Sequence, residues 1–224
     1  MRKLSIGALV ASLCILPYAA GAGIIQGTVE VSSVVPAKAT PMNAYPGRAG
    51  SMPGMHAIDH GRVVDTVVYV ESVPASAESA LAATHERTPQ LAQEGQAFVP
   101  RVLAVAVGGK VDFPNHDPIY HNVFSLSPAR RFDLGKYPKG SSRQVVFPRA
   151  GLINVYCDIH TDMEAFILVV PNHAFTRPST SGEYALPELP AGRYVVHAWH
   201  PDLGERHVTV DVPGAGPVTA NLSL

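Results

Sequence analysis

The chain has 224 residues and a formal net charge of −1, from 17 basic and 18 acidic side chains. This balance gives no excess of positive charge of the kind that attracts nucleic acids or anionic lipids. We therefore expect a protein that binds neither nucleic acid nor a charged membrane surface.

The first 22 residues have the features of a secretory signal peptide. The basic start "MRK" is followed by the apolar run "LSIGALVASLCILPYA" and the small residues "AGA", which predict cleavage after Ala22. The run is too short for a membrane span, and no later segment approaches about 18 consecutive apolar residues. Cys14 follows Leu13, where a lipoprotein signal has a small residue. We therefore predict export to the periplasm without a lipid anchor.

The predicted mature chain retains 15 basic and 18 acidic side chains, a net charge of −3. Its length allows one large or two small β domains. Its one cysteine is Cys157, so an intramolecular disulfide is excluded, and a free thiol is easily oxidised outside the cytoplasm. Cys157 is therefore either a buried, inert side chain or a thiolate held by a metal.

The rest of the chain has an all-β pattern, with glycines and prolines between short runs rich in Val, Tyr and Phe. The segments "IIQGTVEV" and "VVDTVVYVE" predict strands separated by a long loop, and "ASAESALAATHER" predicts a short helix or a linker. Further strands are predicted in "AQEGQAFVP", "RVLAVAVGGKVDFPN", "YHNVFSLS", "SSRQVVFPRAG", "LINVYC" and "AFILVVP". Gly108-Gly109 and similar turns separate them at the spacing of a β-sandwich.

Three potential metal ligands follow one another at intervals of three in "CDIHTDM": Cys157, His160 and Met163. His121 stands 36 residues before Cys157, at the start of the predicted strand "HNVFS". Two imidazoles, one thiolate and a weak axial thioether are the donor set of a type 1 copper ion. We therefore predict one copper at these four residues. Ligands from one tight loop and a neighbouring strand form a rigid cage, which favours fast electron transfer.

Residues 90–170 resemble the cupredoxin family, which includes plastocyanin, pseudoazurin and amicyanin. The segment "AFVPRVLAVAVGGKVDFPNHDPIYHNVFS" looks like the family's strand, turn and first-histidine segment, and the C-x₂-H-x₂-M spacing is the short form found in amicyanin. The resemblance implies a Greek-key β-sandwich with equatorial ligands His121, Cys157 and His160 and the axial ligand Met163. It also implies that Asn122 ties the two ligand-bearing segments together by hydrogen bonds. His160 would be the more exposed ligand, through which electrons pass.

The C-terminal region resembles the second half of a carboxypeptidase-regulatory-like, or transthyretin-like, β domain. "GEYALPELPAGRY" matches the pattern G-x-Y-x-L-x-x-L-P-A-G-x-Y of such domains. The whole arrangement is similar to cupredoxin-like proteins labelled methylamine-utilisation proteins, a label that establishes no substrate.

The predicted organisation has four segments. They are a signal peptide (1–22), N-terminal strands with a loop and linker (23–87), a cupredoxin domain (88–170) and a smaller regulatory-like β-sandwich (171–224). The strands at 27–31 and 67–71 are either the first half of the C-terminal domain, split by an insertion, or part of the central sandwich.

Two other chemistries could use the same residues. Zinc prefers four strong donors, and methionine is a poor one. A cysteine nucleophile with His160 as its base has no evident orienting group or oxyanion motif beside it. His116 and Asp117, in "PNHDPIYH", depart from the plastocyanin pattern and add two groups near the first ligand.

The loop of residues 42–60 contains a second group of copper-type donors. They are Met42, Met52, Met55, His56 and His60. The simpler interpretation is a loop whose methionines are incidental or cover an apolar patch.

The leading functional prediction is a one-electron carrier with one type 1 copper, whose redox partners dock near His160, and not an enzyme. The alternatives are copper delivery through the loop of residues 42–60, or an interaction module with a vestigial copper site. The sequence leaves the oligomeric state open.

Overall fold

The computed structural model describes residues 21–31, 62–84 and 87–224. Within these ranges the chain forms 18 β-strands, one α-helix and one short 3₁₀-helix. The α-helix, α1 (Ala75–Thr84), lies in the segment predicted as a helix or linker. No helix in these ranges has the length and apolar character needed to cross a membrane. The predicted all-β sandwich fold is confirmed.

The first sandwich is built from the strands between residues 92 and 170. They are β3 (Ala92–Glu94), β4 (Ala97–Val99), β5 (Val102–Ala106), β6 (Lys110–Pro114), β7 (His121–Ser125), β8 (Phe132–Tyr137), β9 (Ser142–Val146), β10 (Gly151–Tyr156) and β11 (Glu164–Val170). The main sheet has the order β5-β11-β10-β7-β8, and the pairs β3-β4 and β6-β9 complete the sandwich. Apolar side chains such as Phe113, Ile153 and Val155 fill its core. β5 pairs with β11 in parallel, so strands from the two ends of this segment lie side by side.

The second sandwich combines strands from both ends of the described chain. They are β1 (Ala22–Glu30), β2 (Val67–Val70), β12 (Phe175–Thr176), β13 (Glu183–Ala185), β14 (Leu189–Pro190), β15 (Gly192–His200), β16 (Gly204–Val212), β17 (Gly216–Thr219) and β18 (Leu222–Ser223). β1 pairs with β13, β14, β17 and β18, and β2 lies between β12 and β15. Both early strands, β1 and β2, therefore pair with strands that follow residue 174. The domain boundaries themselves stay a prediction.

The main sheet of the first sandwich is covered on both faces at β5 and β11. Leu103 and Ile167 belong to the core of the first sandwich, whereas Val102 and Phe166 belong to a separate cluster that includes Trp199 of β15. A strand that is buried on both faces has a continuous apolar sequence instead of an alternating one. This explains the runs "VLAVA" and "AFILVV".

A buried ionic cluster joins the two sandwiches beside this apolar contact. The guanidinium of Arg101 lies 5.1 Å from the ring centre of Phe166 and 3.0 Å from a carboxylate oxygen of Asp202. It also lies 3.4 Å from the carboxylate of Asp65, which is fully buried. Arg101 therefore links the segment before β2, the start of β5 and the β15-β16 turn.

One local prediction was wrong, and one strand was not predicted. The segment Val63–Asp65, predicted as the start of a strand, is a 3₁₀-helix, and β2 begins only at Val67. β8 was not predicted at all. Phe132 and Leu134 alternate with Asp133 and pack against the core, but Gly135 and Lys136 interrupt the alternation, and Tyr137 is the one fully buried residue of the strand.

Candidate metal centre

The loop that follows β10 is closed by backbone hydrogen bonds. Tyr156 of β10 pairs with Glu164 of β11, so Cys157 and Met163 stand at the two ends of a hairpin loop. The Cys157 N–H donates to the Met163 carbonyl at 3.4 Å, and the Met163 N–H donates to the His160 carbonyl at 3.0 Å. The backbone therefore holds these three residues close together.

The strand order brings His121 to this loop. His121 is the first residue of β7, and β7 is the neighbour of β10 in the main sheet. Its Nδ1 atom lies 3.0 Å from Nδ1 of His160, which in turn lies 3.8 Å from Sγ of Cys157. One donor atom from each of the three side chains lies within 4.8 Å of the others. The structure thus brings three of the four predicted ligands close enough together to form one cluster.

The cluster is mostly withdrawn from solvent. His121 is fully buried, Cys157 is 4% exposed and Met163 is 1% exposed, while His160 is partly exposed. Met163 packs in the same core cluster as Cys157. Burial lowers the pKa of His160, and the neighbouring His121 lowers it further, although Asp117 acts in the opposite direction. His160 is therefore biased toward the neutral form that can bind a metal.

Asp117 holds the far edge of the His121 ring. Its Oδ2 atom lies 2.8 Å from Nε2 of His121. Burial raises the pKa of Asp117, but hydrogen bonds from the Gln96 N–H, His121 and the Gly95 N–H outweigh it, so the pKa lies below its usual value. An ionised carboxylate only accepts hydrogen bonds, so Nε2 of His121 is the donor. The Nδ1 atom of a neutral His121 is then a lone-pair donor facing His160.

The other group that departs from the plastocyanin pattern lies away from the cluster. His116 is half exposed and its Nδ1 lies 3.8 Å from a carboxylate oxygen of Glu94. Asp117 contacts the nitrogen of His121 opposite the one that faces His160, so neither residue adds a donor at the cluster itself.

Asn122 is buried beside the first histidine, but its side chain is directed to β8. Its Nδ2 donates to Oδ1 of Asp133 at 2.7 Å, and its Oδ1 has no hydrogen-bond partner within the described ranges. The predicted tie between the two ligand-bearing segments stays a prediction.

The three donors fit a single soft metal ion. Metal bonds of about 2.0 Å to imidazole nitrogen and about 2.3 Å to thiolate allow a sulfur and a nitrogen up to about 4.3 Å apart to share one ion. The Cys157 to His160 distance of 3.8 Å falls inside this limit, and the His121 to His160 distance of 3.0 Å falls inside the limit of about 4.0 Å for two imidazoles. Donor atoms of Cys157 and His121 lie within 4.8 Å of each other. One thiolate and two imidazoles with a buried thioether in the same core suit copper better than zinc.

The structure does not describe the second group of predicted copper donors. Met42, Met52, Met55, His56 and His60 lie outside the described residues, as do residues 1–20 of the predicted signal peptide. Both predictions remain expectations from sequence.

No protein-family model matches the chain, and no curated protein matches it. Several solved structures are similar to part of it. A mutant of amicyanin in its reduced Cu(I) form is 19% identical with a TM-score of 0.35, covering 47% of this chain and 98% of the amicyanin chain. A purple cupredoxin from Nitrosopumilus maritimus is 22% identical with a TM-score of 0.33, covering 36% and 98%.

A copper-containing nitrite reductase from Thermus scotoductus SA-01 is 24% identical with a TM-score of 0.36. The similarity covers 37% of this chain but only 22% of the reductase chain. Likenesses at these TM-scores do not identify a family.

Proposed function

We propose that this chain is a periplasmic type 1 copper protein that carries single electrons between redox partners. The observation that supports this most is the meeting of His121, Cys157 and His160 in one buried cluster, with Met163 in the same core. Copper in such a site supplies reversible one-electron chemistry between Cu(II) and Cu(I). The four side chains would complete its coordination, leaving no open position for a substrate, so a carrier is favoured over an enzyme.

The surroundings of the cluster favour rapid electron exchange. His121 begins a central strand, and Cys157 and Met163 end a loop closed by backbone hydrogen bonds. Ligands on such a frame move little when the metal changes charge, so little energy is spent on reorganisation.

Redox partners would dock at the surface near His160, the partly exposed member of the cluster. The residues just before the two histidines expose apolar side chains: Ile119 by 37%, Tyr120 by 58% and Ile159 by 39%. Exposed apolar groups beside a polar centre are common where proteins associate. The predicted signal peptide supports a periplasmic location for this exchange.

A redox titration of the copper-loaded exported protein tests the proposal. We expect one electron per chain to be taken up and released over repeated cycles, with the copper retained throughout. The Cys157→Ser variant, which lacks the soft thiolate, should not cycle in this way. Release of the metal on reduction would instead indicate a delivery protein, and copper that cannot be reduced reversibly would exclude a carrier.

A further inference from the structure

The Asp117 carboxylate, which contacts Nε2 of His121, also accepts hydrogen bonds from a tight turn between β3 and β4. β3 and β4 are joined by the two-residue turn Gly95-Gln96, in which both residues have positive φ, 63° and 58°. This is the arrangement of a type I′ hairpin turn. A positive φ is uncommon for glutamine, and such departures persist where the surrounding structure requires them.

The two N–H groups of this turn converge on Asp117. The Gly95 N–H donates to Oδ1 at 2.7 Å and the Gln96 N–H donates to Oδ2 at 2.8 Å. Successive backbone N–H groups form a concave site that favours an anion. Asp117 is only 7% exposed, so this site fixes the carboxylate inside the protein.

The backbone around Asp117 is fixed as well. Its own N–H donates to Oδ1 of Asn115 at 2.9 Å, and Nδ2 of Asn115 donates to the carbonyls of Ile119 and Tyr137 at 2.9 and 3.0 Å. Tyr137 is the strand partner of His121. The segment that precedes His121 is therefore tied to β8, and Asp117 has little freedom to leave the His121 ring.

We propose that Asp117 is a positioning residue for His121. Its carboxylate accepts the Nε2–H of His121, fixes the ring and its tautomer with Nδ1 free for the metal, and lowers the reduction potential of the site. A carboxylate on the far nitrogen of a metal-binding histidine makes that histidine a stronger donor. Its negative charge also stabilises Cu(II) more than Cu(I). The inference about the potential rests on the proposed copper function, whereas the inference about the tautomer does not.

The tautomer is tested in the metal-free wild-type protein by ¹H–¹⁵N correlation spectroscopy of the histidine rings. We expect His121 to carry its proton on Nε2 alone. A His121 that is protonated on Nδ1, or that exchanges between tautomers, would overturn the proposal. This measurement needs no variant to fold and no copper to bind.

The potential is tested by voltammetry of the copper-loaded Asp117→Asn protein. The amide oxygen can still accept from His121, but the charge is lost, so the Cu(II)/Cu(I) equilibrium should shift about tenfold or more toward Cu(I), which is about 59 mV. Asp158→Asn is the matched control, because Asp158 is next to Cys157, has a 47% exposed side chain and makes an ion pair with Lys136 at 3.9 Å. Its shift should stay below about threefold, since exposed charges are screened by solvent.

An equal shift in the two variants, or no shift in Asp117→Asn, would overturn the proposed effect on the potential. If wild type binds no redox-active copper, the proposed function fails, and the tautomer measurement alone decides whether Asp117 positions His121.

If Asp117→Asn does not fold, Asp117→Glu replaces it, because a longer carboxylate keeps the charge but cannot satisfy both turn N–H groups and His121 in the same way. The reduction potential of Asp117→Glu should then stay close to that of wild type. A shift of the Cu(II)/Cu(I) equilibrium of about tenfold toward Cu(I), about 59 mV, would contradict the role of the charge.

Discussion

The side chain of Met163 is 1% exposed, and its backbone closes the loop that presents Cys157 and His160. A thioether at this place would be a weak axial ligand, which stabilises Cu(II) relative to a site that lacks it. Under the proposed function, Met163 would therefore adjust the reduction potential more than it retains the metal.

Replacing Met163 by Leu should keep the copper but raise the reduction potential. The apolar volume is nearly conserved, so the core should remain packed. Loss of the thioether should shift the equilibrium about tenfold toward Cu(I), about 59 mV by voltammetry. Loss of the metal, or an unchanged potential, would contradict an axial role for Met163.

His200 makes the stability of the protein depend on pH. His200 is fully buried, its Nε2–H donates to the Arg62 carbonyl at 3.2 Å, and its Nδ1 accepts from the Asp202 N–H at 3.1 Å. Burial lowers the pKa of His200 below its ordinary value of 6.5, which outweighs the opposing effects of the Arg62 carbonyl and two carboxylates. The unfolded chain therefore binds more protons than the folded one as the pH falls below 6.5, so stability is lost in that range.

The free energy of unfolding should therefore decrease more steeply from pH 6.5 to about 5 in wild type than in His200→Gln, which has no titrating ring. Urea denaturation at several pH values measures this slope. Identical slopes in wild type and His200→Gln would show that His200 does not titrate on unfolding.

At the scale of elements, β1 is the central strand of its sheet and has neighbours on both sides. It pairs antiparallel with β13 and β14 and in parallel with β17 and β18. Gly27 allows this close approach, because a Cβ atom there would lie 2.0 Å from the Ala220 carbonyl oxygen. The absence of a side chain is thus a packing requirement at this position.

Gly27→Ala should destabilise the second sandwich by about 1–3 kcal/mol, because the backbone must shift to relieve the clash. Gly192→Ala is the control, since its Cβ would meet the Tyr194 ring at an ordinary 3.6 Å. Denaturation monitored by circular dichroism measures the difference. Equal stability of the two variants would mean that β1 can move away from the chain at Ala220 at no cost.

The strands that the sequence predicts are those whose side chains enter a core. β5, β7, β10 and β11 contain several Val, Leu, Ile or Phe residues, whereas the apolar signal of β8 is limited to Phe132 and Leu134 before Gly135 and Lys136 interrupt it. The pairing of β1 and β2 with strands beyond residue 174 depends on contacts across the whole chain. Local patterns therefore predict the elements better than they predict their partners.

For the candidate metal centre, too, local patterns are easier to predict than long-range contacts. Cys157, His160 and Met163 could be predicted because their spacing lies within one loop. The sequence marks Asp117 only as an extra group near the first ligand, because its hydrogen bonds come from a turn 21 and 22 residues earlier in the chain. No local pattern shows that this turn contacts Asp117 or that Asp117 contacts the first histidine.

For the whole molecule, Arg101 is the charged link between the two sandwiches. Its guanidinium faces the buried carboxylates of Asp65 and Asp202 and lies over Phe166. Removing one cation from a buried ionic cluster weakens the compensation of its carboxylates, even though Arg62 and Arg177 still lie 3.3 and 3.9 Å from Asp65. The two sandwiches should therefore depend on Arg101 for their mutual stability.

Arg101→Met should lower the free energy of unfolding by about 3 kcal/mol. The fluorescence of Trp199, the one tryptophan of the chain, reports on this contact because it packs beside Phe166. Arg193→Met is the control, because Arg193 and Asp211 form an ion pair that is more than 70% exposed on both sides, and it should change little. Equal effects of the two substitutions would show that Arg101 does not link the sandwiches.

We propose that one copper ion is held by the Cys157 thiolate together with His121 and His160. The visible absorption spectrum of the Cu(II)-loaded protein tests it most directly, because a short copper–thiolate bond gives an intense charge-transfer band. We predict a blue or green protein with one copper per chain, which bleaches on reduction and whose colour is absent in Cys157→Ser. A colourless copper complex, or a colour that persists in Cys157→Ser, would contradict the assignment.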